Sequence, residues 1–236
     1  MLSVLVLGFL FGMRHATDAD HVAAVATLAT RSASVPETLR LGVAWGIGHT
    51  LTLFAIGTVV LLLGVAIPER TAQFLELAVG VMLALLGLDV IRRIVQQHIH
   101  VHPHRHGGRR HVHAHGHEAA VAHDEAAHAH PHTRALPLRA LTVGLVHGMA
   151  GSAALVLLTL GTIQSVWLGV VYMLLFGLGS ILGMALLSFA IALPLRFTAH
   201  RLGRFQGVVT AAIGVLTLGI GIDIIWELGV KEGLLF

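Results

Sequence analysis

The run Arg14-His15-Ala16-Thr17-Asp18-Ala19-Asp20-His21 gathers two imidazoles, two carboxylates and a guanidinium inside a hydrophobic segment. Leu2 to Met13 before it and Val22 to Thr30 after it carry no charge. Ionisable side chains at such depth cost several kcal/mol each in hydrocarbon and mark an ion or substrate pathway. Ion pairing that merely holds helices together is the alternative. It accounts for Arg14 and one aspartate but not for two histidines. Imidazole with carboxylate is a borderline ligand set, suited to zinc, copper, iron, nickel and cobalt, whereas all-oxygen sets suit magnesium or calcium.

On a straight helix His15, Asp18 and His21 would share one stripe and Asp20 would face away from it. His15 and His21 would then be separated by a rise of about 9 Å, too far to meet easily on one ion. Either the helix is unwound near 17–20, or the ligands form two successive stations. Helices broken at mid-membrane are one way in which transporters build ion sites.

The elements that must hold this cluster follow from composition. Of 236 residues, 56% are hydrophobic and 11% charged, and the apolar runs are long enough to span a bilayer. The fold class expected is an all-α integral membrane protein with six transmembrane helices, over 2–30, 40–66, 71–94, 138–163, 165–195 and 204–228. The 27 glycines fit close helix packing in lipid. No cysteine is present, which excludes disulfides, thiolate metal sites, iron–sulfur clusters and thiol redox chemistry. The slight basic excess is no nucleic-acid footprint, because the arginines sit mostly in loops. No cleavable signal peptide is expected, since the first apolar run lacks a basic start and leads straight into the histidine–aspartate cluster.

Those arginines predict orientation. Arg31, Arg40, Arg92, Arg93, Arg105, Arg109, Arg110, Arg134, Arg139, Arg196, Arg201 and Arg204 fall on one side, against Arg70 and Lys231 on the other. The first side is therefore cytoplasmic. Both termini are expected outside, in the cell's inner membrane.

The chain also repeats. Gly80-Val81 through Gly87-Leu88-Asp89-Val90-Ile91 matches Gly214-Val215 through Gly221-Ile222-Asp223-Ile224-Ile225. Gly8, Gly12 and Met13 echo Gly144, Gly148 and Met149, and Gly46-Ile47-Gly48-His49-Thr50 is similar to Gly177-Leu178-Gly179-Ser180-Ile181. Three spans per half make the halves inverted, 1–95 and 138–236, with a substrate site expected at mid-bilayer where they join. Between them, 96–137 holds thirteen of the 18 histidines, from His98 to His132, among Gly, Ala and Pro. It is expected to be a disordered, metal-binding cytoplasmic loop.

Five histidines remain outside that loop. His49, after a Gly46-Ile47-Gly48 bend, is expected to ligate with His15, Asp18, Asp20 and His21. His147, in the small-residue run Gly144 to Ser152, is expected to support the ligands from behind, as are Thr50 and Ser180. His200 lies in a basic loop and is expected to be solvated. Asp89 is expected to pair with Arg92 or Arg93.

His15-x4-Asp20-His21 resembles the HX4DH signature of the nickel/cobalt transporter (NiCoT) family, and Gly48-His49-Thr50 resembles that family's second short motif. Gly144 to Ser152 and Phe176 to Ser180 are more similar to the smaller urease-accessory-type (UreH-like) nickel permeases of the same superfamily. The resemblance covers the six spans but not the histidine loop. It implies nickel or cobalt transport, with His15, Asp20 and His21 central and His49 beside them. The extra N-terminal span and the acidic motifs of the larger members have no match here.

The expected function is thus secondary transport of Ni2+ and/or Co2+, in the uptake direction, with no enzyme activity. The cation is the substrate, and no resident cofactor is expected. The partners are the bilayer and a cytoplasmic metallochaperone, and not nucleic acid. No phosphate-binding glycine loop is present, which argues against ATP hydrolysis. Export by the same fold is the alternative. A haem-binding membrane subunit is a further class, which Asp18 and Asp20 argue against.

Overall fold

The computed structural model describes residues 2–32, 34–64, 67–96, 103–106, 109–112, 137–149, 165–201 and 203–235. Helices α1 (Leu2–His15), α2 (Ala19–Ala29), α3 (Val35–Leu63) and α4 (Glu69–Gln96) form the first half. Strands β1 (Pro103–His106) and β2 (Arg109–Val112) follow, then α5 (Leu138–His147), α6 (Val166–Arg201), α7 (Gly203–Trp226) and a π-helical turn, Glu227–Lys231. Among the described residues four helices are long and apolar enough to cross a membrane, within α3, α4, α6 and the α7 stretch. Three shorter apolar helices lie within α1, α2 and α5.

The segment 2–30 is therefore two helices. Thr17 N and Asp18 N bond back to the Arg14 and His15 carbonyls at 2.8 and 3.1 Å, closing α1, and Asp18 then turns extended (ψ 148°) to start α2. Asp18 holds the N-cap position without capping, because its carboxylate lies instead on the His15 ring. In the segment expected as a span at 138–163, α5 ends at His147 and Gly148 N bonds to the Gly144 carbonyl at 2.9 Å. Residues 150–164, and with them the rest of that expected span, lie outside the described residues. In α3, Ser34 caps the N-terminus by accepting from Glu37 N, Pro36 fits the first turn, and Gly64 (φ 62°) closes the C-terminus.

Helix α1 packs on α6, α3 on both α5 and α6, and α4 on α7, with α2 wedged against α7 and α6. The contacts are backbone-close. A Cβ at Gly12 would overlap the Phe176 carbonyl, one at Gly179 the Phe9 carbonyl, one at Gly48 the Leu141 carbonyl, and one at Gly144 the Trp45 carbonyl. Small residues at these crossings let the helices approach where lipid supplies no hydrophobic drive. Ala24, Trp45, Leu83 and Met184 fill the centre. Leu62, Leu85, Leu216 and Trp167 point outward, as the lipid-facing side of apolar helices would.

At one end of the bundle Asp89 receives Arg31, Arg93 (3.5 Å) and Arg139 (3.4 Å). Arg196 donates to the Ser32 carbonyl. The partners anticipated for Asp89 were Arg92 or Arg93; Arg93 is joined by arginines from α5 and from beyond α2. Asp89 thus ties three segments together. Asp89→Asn is expected to cost on the order of 1 kcal/mol, because Asp89, Arg31 and Arg139 are about one-third or more exposed and screened. Thermal unfolding in detergent at low and high salt measures this, and the loss should shrink with salt.

Within 96–137, expected to be a loop without regular structure, β1 and β2 are described and pair antiparallel, with His104 opposite His111. The other loop histidines, and the side chain of His200, lie outside the described residues.

Candidate metal centre

The break between α1 and α2 decides the geometry. Instead of a rise of about 9 Å, the His15 and His21 rings lie 4.2 Å apart, centroid to centroid. His49 of α3 closes on both, at 5.2 and 5.3 Å. His147, at the C-terminus of α5, lies 4.1 Å from His21 and 6.0 Å from His49. His21, His49 and His147 are buried and His15 almost so. Two half-helices, α1 and α5, end here, and their terminal carbonyls carry the partial negative charge that favours a cation.

Two carboxylates orient the rings. Asp18 Oδ2 accepts from His15 Nδ1 at 2.7 Å. Asp20 Oδ1 accepts from both the backbone N–H and Nδ1 of His21, at 2.9 and 2.8 Å, while its Oδ2 accepts from His147 Nε2 at 2.9 Å. An ionised carboxylate only accepts, so each of these ring nitrogens carries the hydrogen, and in a neutral ring its opposite number is bare. Carboxylates bound to the far nitrogen of an imidazole fix ligand tautomers in metal sites generally. His15 Nε2, His21 Nε2, His147 Nδ1 and both His49 nitrogens have no hydrogen-bond partner among the described residues. Buried lone pairs left bare are costly, and a cation is the group that satisfies several at once.

The ligand atoms fall into two groups. One nitrogen each from His15, His21 and His49 lie within 4.8 Å of one another, and so do an Asp20 oxygen and one nitrogen each from His21 and His147. His15, Asp20, His21 and His49 are thus brought together, whereas Asp18, expected to ligate, belongs to neither group and instead accepts from His15 Nδ1. His147 is in direct contact with Asp20 rather than behind the ligands. Thr50 is turned away and donates to the Gly177 carbonyl at 3.3 Å. Ser180 is fully buried, with a hydroxyl that has no partner among the described residues. Trp45, which sequence reading missed, packs on His21 and His147 at 5.4 and 5.3 Å. Its only sequence signal was its place one helical turn before His49.

The chain is 34% identical over 239 aligned residues to the urease accessory protein UreH of Bacillus sp. (strain TB-90), covering 99% of this chain and 95% of that one. The chain belongs to the UreH family. No protein-family model matches this UreH-family chain, and no solved structure matches it.

Proposed function

We propose that this UreH-family chain is a secondary carrier of Ni2+ and/or Co2+, and that it works in the uptake direction. One observation carries the reading: four buried imidazoles and a carboxylate meet where the first apolar segment is broken and α5 ends. Such a set favours nitrogen-loving divalent transition metals over magnesium or calcium. The urease-accessory role in the relative's name points to nickel first. His15, His21 and His49 supply imidazole. Asp20 supplies charge, and Asp18 holds His15. Ligand imidazoles must be neutral, so protons compete with metal and offer a route to coupling.

Six spans arranged as two inverted halves, 1–95 and 138–236, are part of this proposal. Reciprocal contacts support it. Gly80 faces Gly221 and Gly87 faces Gly214; Gly46 meets Ile181 while Gly177 meets Thr50; Gly48 meets Leu141 while Gly179 meets Phe9. Gly12 meeting Phe176, and Gly144 meeting Trp45, complete the set. The contacts align Gly12 with Gly144, one helical turn from the match of Gly12 with Gly148 that sequence shows. They therefore align His15 with His147, and His49 with Ser180. The basic end around Asp89 would face the cytoplasm.

Direction is tested in cells lacking their own nickel importer, with radioactive nickel and cobalt measured side by side. Uptake predicts higher cellular metal and greater sensitivity to added metal; lower metal with gained resistance would mean export. Deleting His98 to His132 is expected to leave transport measurable while lowering the number of ions bound per protein, read by equilibrium dialysis. Complete loss of transport in a well-expressed deletion would make that segment part of the pathway.

A further inference from the structure

Resting on the transport reading above, we infer that the histidine cluster is two metal stations in series, which share His21 and hand one divalent transition-metal cation from the first to the second. The first is His15, His49 and His21; the second is Asp20, His21 and His147, in which His147 is a ligand.

The two groups occupy different levels along the bundle. His15 lies beside Phe176, with ring centroids 5.8 Å apart, and Gly177 next to Phe176 meets Thr50. His147 and His21 instead lie beside Trp45, whose neighbour Gly46 meets Ile181, one turn further along α6. From Trp45 a narrow crevice lined by Leu28, Thr38, Gly42 and Ser188 continues the same way. Thr38 pairs with Ser32, and Ser32 takes Arg196. The order along the axis is therefore Phe176, His15, His21 with His147, Trp45, crevice, basic end.

The chemistry of the stations differs in a useful direction. Three neutral imidazoles leave the full charge of the cation uncompensated, which demands a metal with strong affinity for nitrogen. Asp20 supplies one negative charge to the second station, so the hand-off is electrostatically downhill. Only His21 belongs to both. His147 can ligate through its bare Nδ1, or through Nε2 if its single proton moves between the ring nitrogens. Neither route gains or loses a proton overall. Trp45 closes the second station on the crevice side, and Trp45 Nε1 and Ser188 Oγ, which have no hydrogen-bond partner among the described residues, are the next polar atoms in line.

The absence of cysteine from the chain permits a direct test on the full-length protein in detergent, with Co2+ as the probe. In His147→Cys, a thiolate that ligates cobalt gives a sulfur-to-cobalt charge-transfer absorption in the near ultraviolet. Histidine and carboxylate ligands, including those of the loop, give none. The band is expected in His147→Cys, with an apparent affinity changed less than about threefold when His15→Ala and His49→Ala are added, and lost when Asp20→Ala is added. It is also expected in His15→Cys, and there it persists with His147→Ala. Asp20→Cys probes the second station independently should His147→Cys not elute as a single species. A band in His15→Cys but in neither His147→Cys nor Asp20→Cys overturns the second station while leaving the transport reading standing. Bands in both that are each abolished by changes on the other side mean one composite site, which also overturns it. No band at any of the three positions removes the metal reading itself.

Discussion

His21→Ala is expected to reduce nickel transport to background while the protein stays in the membrane. His21 belongs to both ligand groups, is almost fully buried, and receives Asp20 through its backbone and its ring. Its removal takes a ligand from each group and one of the three hydrogen bonds that Asp20 accepts, the one from the ring. Asp20 keeps His147 and is partly exposed, so the folded state survives. Asp18→Ala gives the graded contrast. Asp18 touches only the far nitrogen of His15, and losing such an orienting carboxylate costs about 10–100-fold in affinity or activity. Initial rates of radioactive nickel uptake, normalised to protein in the membrane, separate the two. Near-wild-type transport by His21→Ala would remove the site.

Gly144→Leu is expected to be the most damaging change away from the ligands. A Cβ at Gly144 would overlap the Trp45 carbonyl and indole, and backbone cannot step aside as a side chain can. Overpacking commonly costs about 1–3 kcal/mol, and here it also levers α5, with His147 at its end, away from α3. The monodisperse fraction after detergent extraction should fall several-fold. Gly219→Leu is the control, because among the described residues nothing lies within 4 Å of a Cβ there. Equal behaviour of the two variants would mean that the α3–α5 contact does not govern assembly.

Much of this was legible in the chain. Charged groups in an apolar run are conspicuous because hydrocarbon penalises them, so His15, Asp20 and His21 stood out. The rise of about 9 Å between two imidazoles on one helix left an unwound helix and two successive stations both open, and the break was settled only by the turn after His15. His49 was legible through its glycine-rich surroundings. The role of His147 was not, because a lone histidine in a small-residue run looks the same whether it packs or ligates; only its 2.9 Å approach to Asp20 across 127 positions of chain separates the two. The division of labour between carboxylates was also hidden. Asp18 and Asp20 read alike in sequence, yet one holds a single ring from outside and the other bridges two. For the proposed repeat, the glycine pattern read in sequence and the contacts of Gly12 and Gly144 differ by one turn in the first span, since glycines four apart are interchangeable in a helical pattern.

The central claim is that metal crosses the membrane through the His15–His21–His49–His147 cluster. Purified full-length protein in lipid vesicles, with radioactive nickel added outside and an impermeant chelator inside, tests it most directly. The account predicts saturable nickel accumulation that cobalt inhibits, that magnesium and calcium at the same concentration leave unchanged, and that His21→Ala abolishes. Accumulation no faster than in protein-free vesicles, or flux that survives His21→Ala, would contradict it.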